Sequence, residues 1–322
     1  MKRAAVLVLL AGTVLALPPA APVWAKSDKP AASGGASSGG GLNLSGGKSG
    51  TPLEIYADDG MELSQDARKV IAHGNAKAIR GNVTVRSDSL IAYYRNRSEG
   101  PNAQQAAPQK KAAAKGDDQS GGGSEIWRVE AVDHVTIASP TQTVYGDHAD
   151  YNIDDAVVVV TGQDLRLVTA TDLVTAKDSL EYWDQKQQAV ARGNAVAVRN
   201  DKSIKADLLT ADFAKNEQGQ TAISMAHGVG NVVLTTPREV VTGNKADYDV
   251  DSGIVTITGA VTLTRQDNKL NGEYAVVNLN TGVSKLYPTI PGSASNGQQR
   301  VKGFFTPQQK DGGGSSLTGR GQ

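Results

Sequence analysis

Six windows of the chain repeat one alternation of apolar and polar positions. Each opens at a turn-like residue (Gly74, Asp133, Gly162, Gly193, Gly230 or Gly259) and carries a second polar marker at Asp88, Asp147, Asp178, Asp207, Asn244 or Glu273. The two markers are 14 residues apart in five copies and 16 in the third, and successive copies begin 59, 29, 31, 37 and 29 residues apart. Two and four residues after the first marker stand Ala76 and Ala78, Val135 and Ile137, Ala195 and Ala197, Val232 and Leu234, and Val261 and Leu263. The third copy shifts by one, to Leu165 and Leu167. Two and four after the second marker stand Leu90 and Ala92, Ala149 and Tyr151, Leu180 and Tyr182, Leu209 and Ala211, Ala246 and Tyr248, and Ala275 and Val277. The residues between are mostly polar, as at Lys77, Thr136, Asp150 and Asp247, with Val196 and Val233 as exceptions.

Period two sustained over so many positions predicts strands with one buried face. A slip of one residue would turn every apolar group outward, so the register is firmly set. Each repeat reads as two strands, with turns at the Gly-Asn marker and at the later polar cluster. In the first copy Gly74 opens a strand, Gly81-Asn82 forms a turn or bulge, and Ser87-Asp88 starts the next strand. Self-similarity near 30 residues points to stacked supersecondary units. With half-units at 53–63 and 301–306, this predicts an all-β domain of about 14–16 antiparallel strands and no amphipathic helix. Two facing sheets or a flattened spiral of strands would bury the apolar face.

Composition divides the chain. Lys2 and Arg3 precede an uncharged run to Leu17, then prolines and Val23-Trp24-Ala25, which predicts a secretory signal peptide over 1–25 cleaved after Ala25. Residues 26–51 form a Gly/Ser/Lys-rich tether, 97–124 a low-complexity insertion, and 308–322 a Gly/Ser tail. Such compositions bury too little apolar surface to offset the entropy of ordering. The β domain is then 52–307. Without Lys2 and Arg3, 31 basic residues stand against 33 acidic ones, a net charge of about −2 that gives no sign of nucleic-acid binding. The absence of cysteine excludes disulfides and thiol chemistry.

Candidate chemistry is sparse, and no cofactor is indicated. Gly47-Lys48-Ser49 resembles the end of a phosphate-binding loop, but Leu42 stands where that motif needs glycine, and a linker explains the segment better. His148 between Asp147 and Asp150 could hold a surface metal, yet adjacent strand residues point to opposite faces, and zinc needs three or four converging ligands. His73 and His227 precede glycine and read as polar residues at turns, and the carboxylates fall at turns and outward positions. A secreted carbohydrate-active β-helix enzyme would need a convergent carboxylate pair, which no copy supplies. That enzyme and a structural envelope scaffold are the alternative functions.

The segment "PLEIYADDGMELSQDARKVIAHGNAKA", the series of "GNV" and "ADY" repeats, and the closing "YAVVNLNTG" and "RVKGFFTP" together resemble the OstA-like family. That resemblance implies an elongated β-jellyroll open at both ends. Its apolar groove would receive the acyl chains of lipopolysaccharide (lipid A) in the periplasm. It also implies head-to-tail self-association and a bridge between the inner-membrane export complex and the outer-membrane insertion complex. The groove residues would be Ala76, Ala78, Leu90, Ala92, Val135, Ile137, Tyr151, Leu165, Leu167, Tyr182, Val232, Leu234, Tyr248, Val261 and Leu263, with Phe304 and Phe305 at the associating edge. Lys77, Arg80 and Arg86, read as outward or rim positions, would meet sugar phosphates or simply be solvated. The Ala-rich positions leave room for a guest unless larger side chains opposite fill it.

Overall fold

The computed structural model describes residues 53–96, 99–100, 124–217, 219–293 and 300–305. The expected signal peptide, the tether, most of the insertion and the tail lie outside the described residues. The chain forms β1 (Glu54–Tyr56), β2 (Gly60–Ser64), β3 (Lys69–Arg80), β4 (Val83–Asn96), β5 (Ser124–Ala138) and β6 (Gln142–Asn152). It continues with β7 (Val157–Thr161), β8 (Leu165–Thr169), β9 (Asp172–Ala176), β10 (Ser179–Trp183), β11 (Gln188–Arg199) and β12 (Lys202–Lys215). The last third is β13 (Thr221–Thr235), β14 (Val240–Asp249), β15 (Ile254–Arg265), β16 (Asn268–Asn278), β17 (Val283–Tyr287) and β18 (Lys302–Phe304). Among the described residues there is no α-helix, and no helix is long and apolar enough to cross a membrane.

Every pairing is antiparallel and joins neighbours in a meander. Eight of the segments are halves of broken strands. β1 and β2 both pair with β3, β7 and β8 with β6, β9 and β10 with β11, and β17 and β18 with β16. Four such broken lanes and ten unbroken strands make fourteen lanes, in line with the expected number. At ~4.8 Å per lane the stack extends on the order of 60 Å. Among the described residues β1 and β2 pair only with β3, and β17 and β18 only with β16, so both ends are open edges.

The markers are not turns between strands. Each first marker lies in the middle of a lane, where β3, β5, β11, β13 and β15 lose register with a neighbour. There two successive residues take left-handed φ: Gly74-Asn75, Asp133-His134, Gly193-Asn194, Gly230-Asn231 and Gly259-Ala260. These are β-bulges, which bend a strand and sharpen its twist. They divide each lane into an upper arm, toward the β2–β3 turn, and a lower arm, toward the β3–β4 turn at Gly81-Asn82.

The second markers occupy the same corner in the alternate lanes. Asp178 lies where a Cβ on Gly193 would stand, 2.4 Å away, and Gly193 has φ +84°, so glycine is required there on both counts. Asp147 accepts the Gln163 amide at 2.8 Å, and Asp207 accepts the Asn231 side-chain amide at 2.9 Å. In the second copy His134 meets Asp88 at 2.9 Å instead. At each of these corners a carboxylate thus meets a donor beside the bend, a backbone amide in one copy and a side chain in the other two. The one-residue shift of the third copy has its cause here: at Gly162 the lane breaks into β7 and β8.

Inside the corner, space decides residue size. Val135, Val232 and Val261 each pair with a glycine: Gly146, Gly243 and Gly272. A Cβ on Gly243 would stand 2.4 Å from Ile257 Cγ2, a branched methyl in the core. Gly243→Ala should therefore lower stability by about 1–3 kcal/mol, read from the urea midpoint. Gly228→Ala serves as control, because its Cβ would meet neighbours at an ordinary 3.5 Å; its midpoint should be unchanged or higher.

Candidate functional site

All fifteen expected groove residues point inward. Those following a first marker line the lower arm, and those following a second marker line the upper arm. Tyr151, Tyr248 and Leu167 are half-buried against the core, and the other twelve are buried. Register aligns them into rows that cross the lanes. In the upper arm Ala92, Val129, Tyr151, Val158, Tyr182 and Ala189 stand side by side, and the row continues through Ala211, Ala226, Tyr248, Val255 and Val277. In the lower arm the row runs Ala78, Val85, Ile137, Val144, Leu167 and Val174, then Ala197, Ile204, Leu234, Val241, Leu263 and Leu270.

The two inner faces meet. Leu53, Ala78, Val85 and Ile137 of the lower arm share one cavity with Val129, Ala131, Ala149, Tyr151 and Val158 of the upper arm. It has about 60 Å³ of free space and lies at the amino-terminal end of the stack. A larger depression of about 340 Å³ lies on the outer face among Asp150, Asn152, Val159, Trp183 and Lys186. The inner one is the better candidate site, because its walls, Arg80 apart, are formed by apolar residues and Tyr151 and come from both arms. Elsewhere the small residues are covered: Ala76 and Ala195 have no exposed surface, and Phe213 packs edge-on to Tyr182 with ring centroids 6.0 Å apart. Burial pushes the Tyr182 hydroxyl up to about 12. It also raises that of Tyr151, against the pull of the nearby Arg80 charge. Both rings stay neutral at physiological pH.

At the other end the arms are joined by a polar clasp. Glu239, in the turn between β13 and β14, is buried; it accepts from Arg265 at 2.7 Å and from the Ser284 hydroxyl in the upper arm. Its place at a turn is the one expected of the carboxylates, whereas its burial was not expected. Of the three basic residues read as outward or rim positions, Arg80 shares the inward parity of Ala76 and Ala78 and borders the cavity, whereas Arg86 is exposed and Lys77 stacks over the Tyr56 ring at 5.8 Å. Phe304 and Phe305 are 51% and 72% exposed, with β18 in the last lane.

The histidines do not behave as turn residues. His227 sits within β13, its Nδ1 2.6 Å from Asp247 and its Nε2 3.1 Å from Asp212, on the two neighbouring strands. His73 is likewise inside β3. Among the described residues no three His, Cys, Asp or Glu side chains gather as a metal site, His148 included.

Reading beyond the fourth position after each marker would have found Phe213, and reading backward would have found Ala72, Val129, Ala131 and Val255. In these strands the alternation keeps its parity through the bulge, as Val129, Ala131, Val135 and Ile137 show, and it shifts by one only in the neighbouring strands, as from Val83 and Val85 to Leu90 and Ala92. Nothing in the sequence signalled the clasp at Glu239.

A meander folded along a line of bulges, apolar within and open at both edges, defines a β-jellyroll. The chain belongs to the LptA/(LptD N-terminal domain) LPS transport protein family, whose profile matches it twice in succession, over 54–178 and 173–283. It is a transport protein and not an enzyme. Among solved structures it is similar to the crystal structure of LptH, the LptA homologous periplasmic component of the lipopolysaccharide transport device from Pseudomonas aeruginosa. That likeness has 18% identity and a TM-score of 0.37, and covers 42% of this chain and 95% of that one. Comparison with curated proteins finds no match.

The histidine contacts carry a pH dependence. The hydrogen bond to Asp247, opposed by burial and helped by Asp212, raises the pKa of His227 above its usual value. A raised histidine pKa stabilises the fold fully below the unfolded value of about 6.5, and the contribution is lost as pH rises through the folded value. The urea midpoint should therefore fall between about pH 5.5 and about pH 8.5, and His227→Gln should flatten the fall.

Proposed function

We propose that the protein carries lipopolysaccharide across the periplasm, holding its acyl chains between the two arms and bridging inner- and outer-membrane transport complexes. The observation that carries this reading is the continuity of the apolar rows. They run from the first lanes to the last and cross the 173–178 overlap of the two family matches without a polar interruption. In this reading the chain is two family units fused end to end, doing what two stacked subunits would do. A dozen methylenes left in water cost about 10 kcal/mol at ~0.8 kcal/mol each, so a multi-acyl lipid needs shelter along its whole route. The packed interior is compatible with that role. A guest chain that separates the arms replaces the apolar contacts it breaks, so the cost of opening is offset by burial of the chain itself.

The open edges supply the means of assembly. β1 and β2 at one end, and β17 and β18 at the other, have unpaired backbone on their outer sides, and a strand edge recruits another strand. A contact between different ends extends without closing.

Photocrosslinking groups at Val135, Ile137, Tyr151, Leu234 and Tyr248 should give lipopolysaccharide adducts, and groups at Lys77 and Thr136 should not. Adducts at the outward pair alone would refute the conduit. Charge substitutions at Phe304 and Phe305 should shift the light-scattering distribution toward single chains; an unchanged distribution would remove that edge from the assembly.

A further inference from the structure

Three arginines occupy one station of the lower arm. Arg80, Arg199 and Arg265 close β3, β11 and β15, each two residues beyond an inward apolar residue: Ala78, Ala197 and Leu263. Each therefore stands at the inner lip, where the tips of the two arms converge. Two of the three are neutralised. Arg199 grips Asp172 through Nε and Nη2 at 2.5 and 3.1 Å, and Arg265 holds the buried Glu239 at 2.7 Å.

Arg80 differs. Among the described residues its guanidinium has no carboxylate partner, and its Nε is buried with no hydrogen-bond acceptor. It borders the cavity shared by Ala78, Val85, Ile137, Val129 and Tyr151. A buried donor without an acceptor is destabilising and calls for an explanation such as an absent ligand. A guanidinium offers a planar fork matched to phosphate oxygens. The cavity, at about 60 Å³, is far smaller than the ~300 Å³ or more that encloses a free small molecule. It suits the first methylenes of a chain that continues along the groove.

We infer that Arg80 receives the phosphoryl headgroup of an acylated amphiphile whose chains enter the cavity beside it. The site thus sets the orientation of the cargo, with the phosphate held at the lip and the acyl chains running inward. This assignment rests on the conduit reading above and adds to it a charge-specific contact at one end of the groove.

The test uses the full chain, lipid A with and without its phosphates, and inorganic phosphate, with equilibrium binding read below the aggregation concentration of the lipids. Arg80→Gln should weaken phosphorylated lipid A about tenfold, the size expected for loss of a charge-assisted contact, and leave the dephosphorylated lipid unchanged. Arg80→Lys should recover part of the loss. The melting temperature of Arg80→Gln should not fall, because no partner is removed, whereas Arg199→Gln should lower it. Equal weakening of both lipids, or no weakening, overturns the assignment while leaving the conduit intact. Inorganic phosphate binding as tightly as the lipid overturns it in favour of a free-anion site. If the unaltered protein binds neither lipid, the conduit reading fails and the assignment falls with it.

Discussion

The structure depends on a contact between a carboxylate and a backbone bend. In lane after lane two residues of left-handed φ turn the strand, and an acidic or amide side chain from the preceding lane closes over the bend. An unbroken strand would give a flat, twisted ribbon with one face in water, and that face is apolar here. The bulge folds the ribbon along a line so that its two halves cover each other. Because the acid of one lane occupies the space above the glycine of the next, the bends stay in register. A bulge one residue out of place would put a side chain where the acid must sit.

This explains what could and could not be read from the chain. The alternation of apolar residues sets the strands, their inward faces and the two-lane repeat, because side-chain direction on a strand follows from position alone. The same pattern misplaced the turns. A Gly-Asn pair has the same local preference for left-handed φ whether it reverses the chain or bulges it. Only the length of the pairing on either side distinguishes the two: β3 keeps its partners on both sides of Gly74. The lip was also hard to read. Arg80 follows Ile79 and precedes a turn, where an arginine looks solvated; its inward parity emerges only when the strand is known to run through to Arg80 without interruption. Glu239 joins Ser284 across 45 positions, a pairing set by how the arms close and not by any local spacing.

The size pattern inside the fold reflects two separate demands. At the corner small residues are forced: glycines face valines because the bend leaves no further volume. Further along the arms the alanines are a different case: Tyr182 stands beside Ala189 in register and meets Phe213 edge-on. Buried valines, leucines and isoleucines fill most of the remaining interior, with alanines between them.

The lanes that break at the bend are the first, the last, and the sixth and seventh, and the seventh lies where the two family matches overlap. Pairing continues through that place, from β7 to β10 and from β10 to β11, within one covalent chain. A joint between separate subunits is occupied only as far as their concentration allows, whereas a joint inside a chain is always formed. Under the proposed bridging role, double units of this kind would leave about half as many junctions that can come apart over a given length, and closure of all of them would depend that much less on copy number.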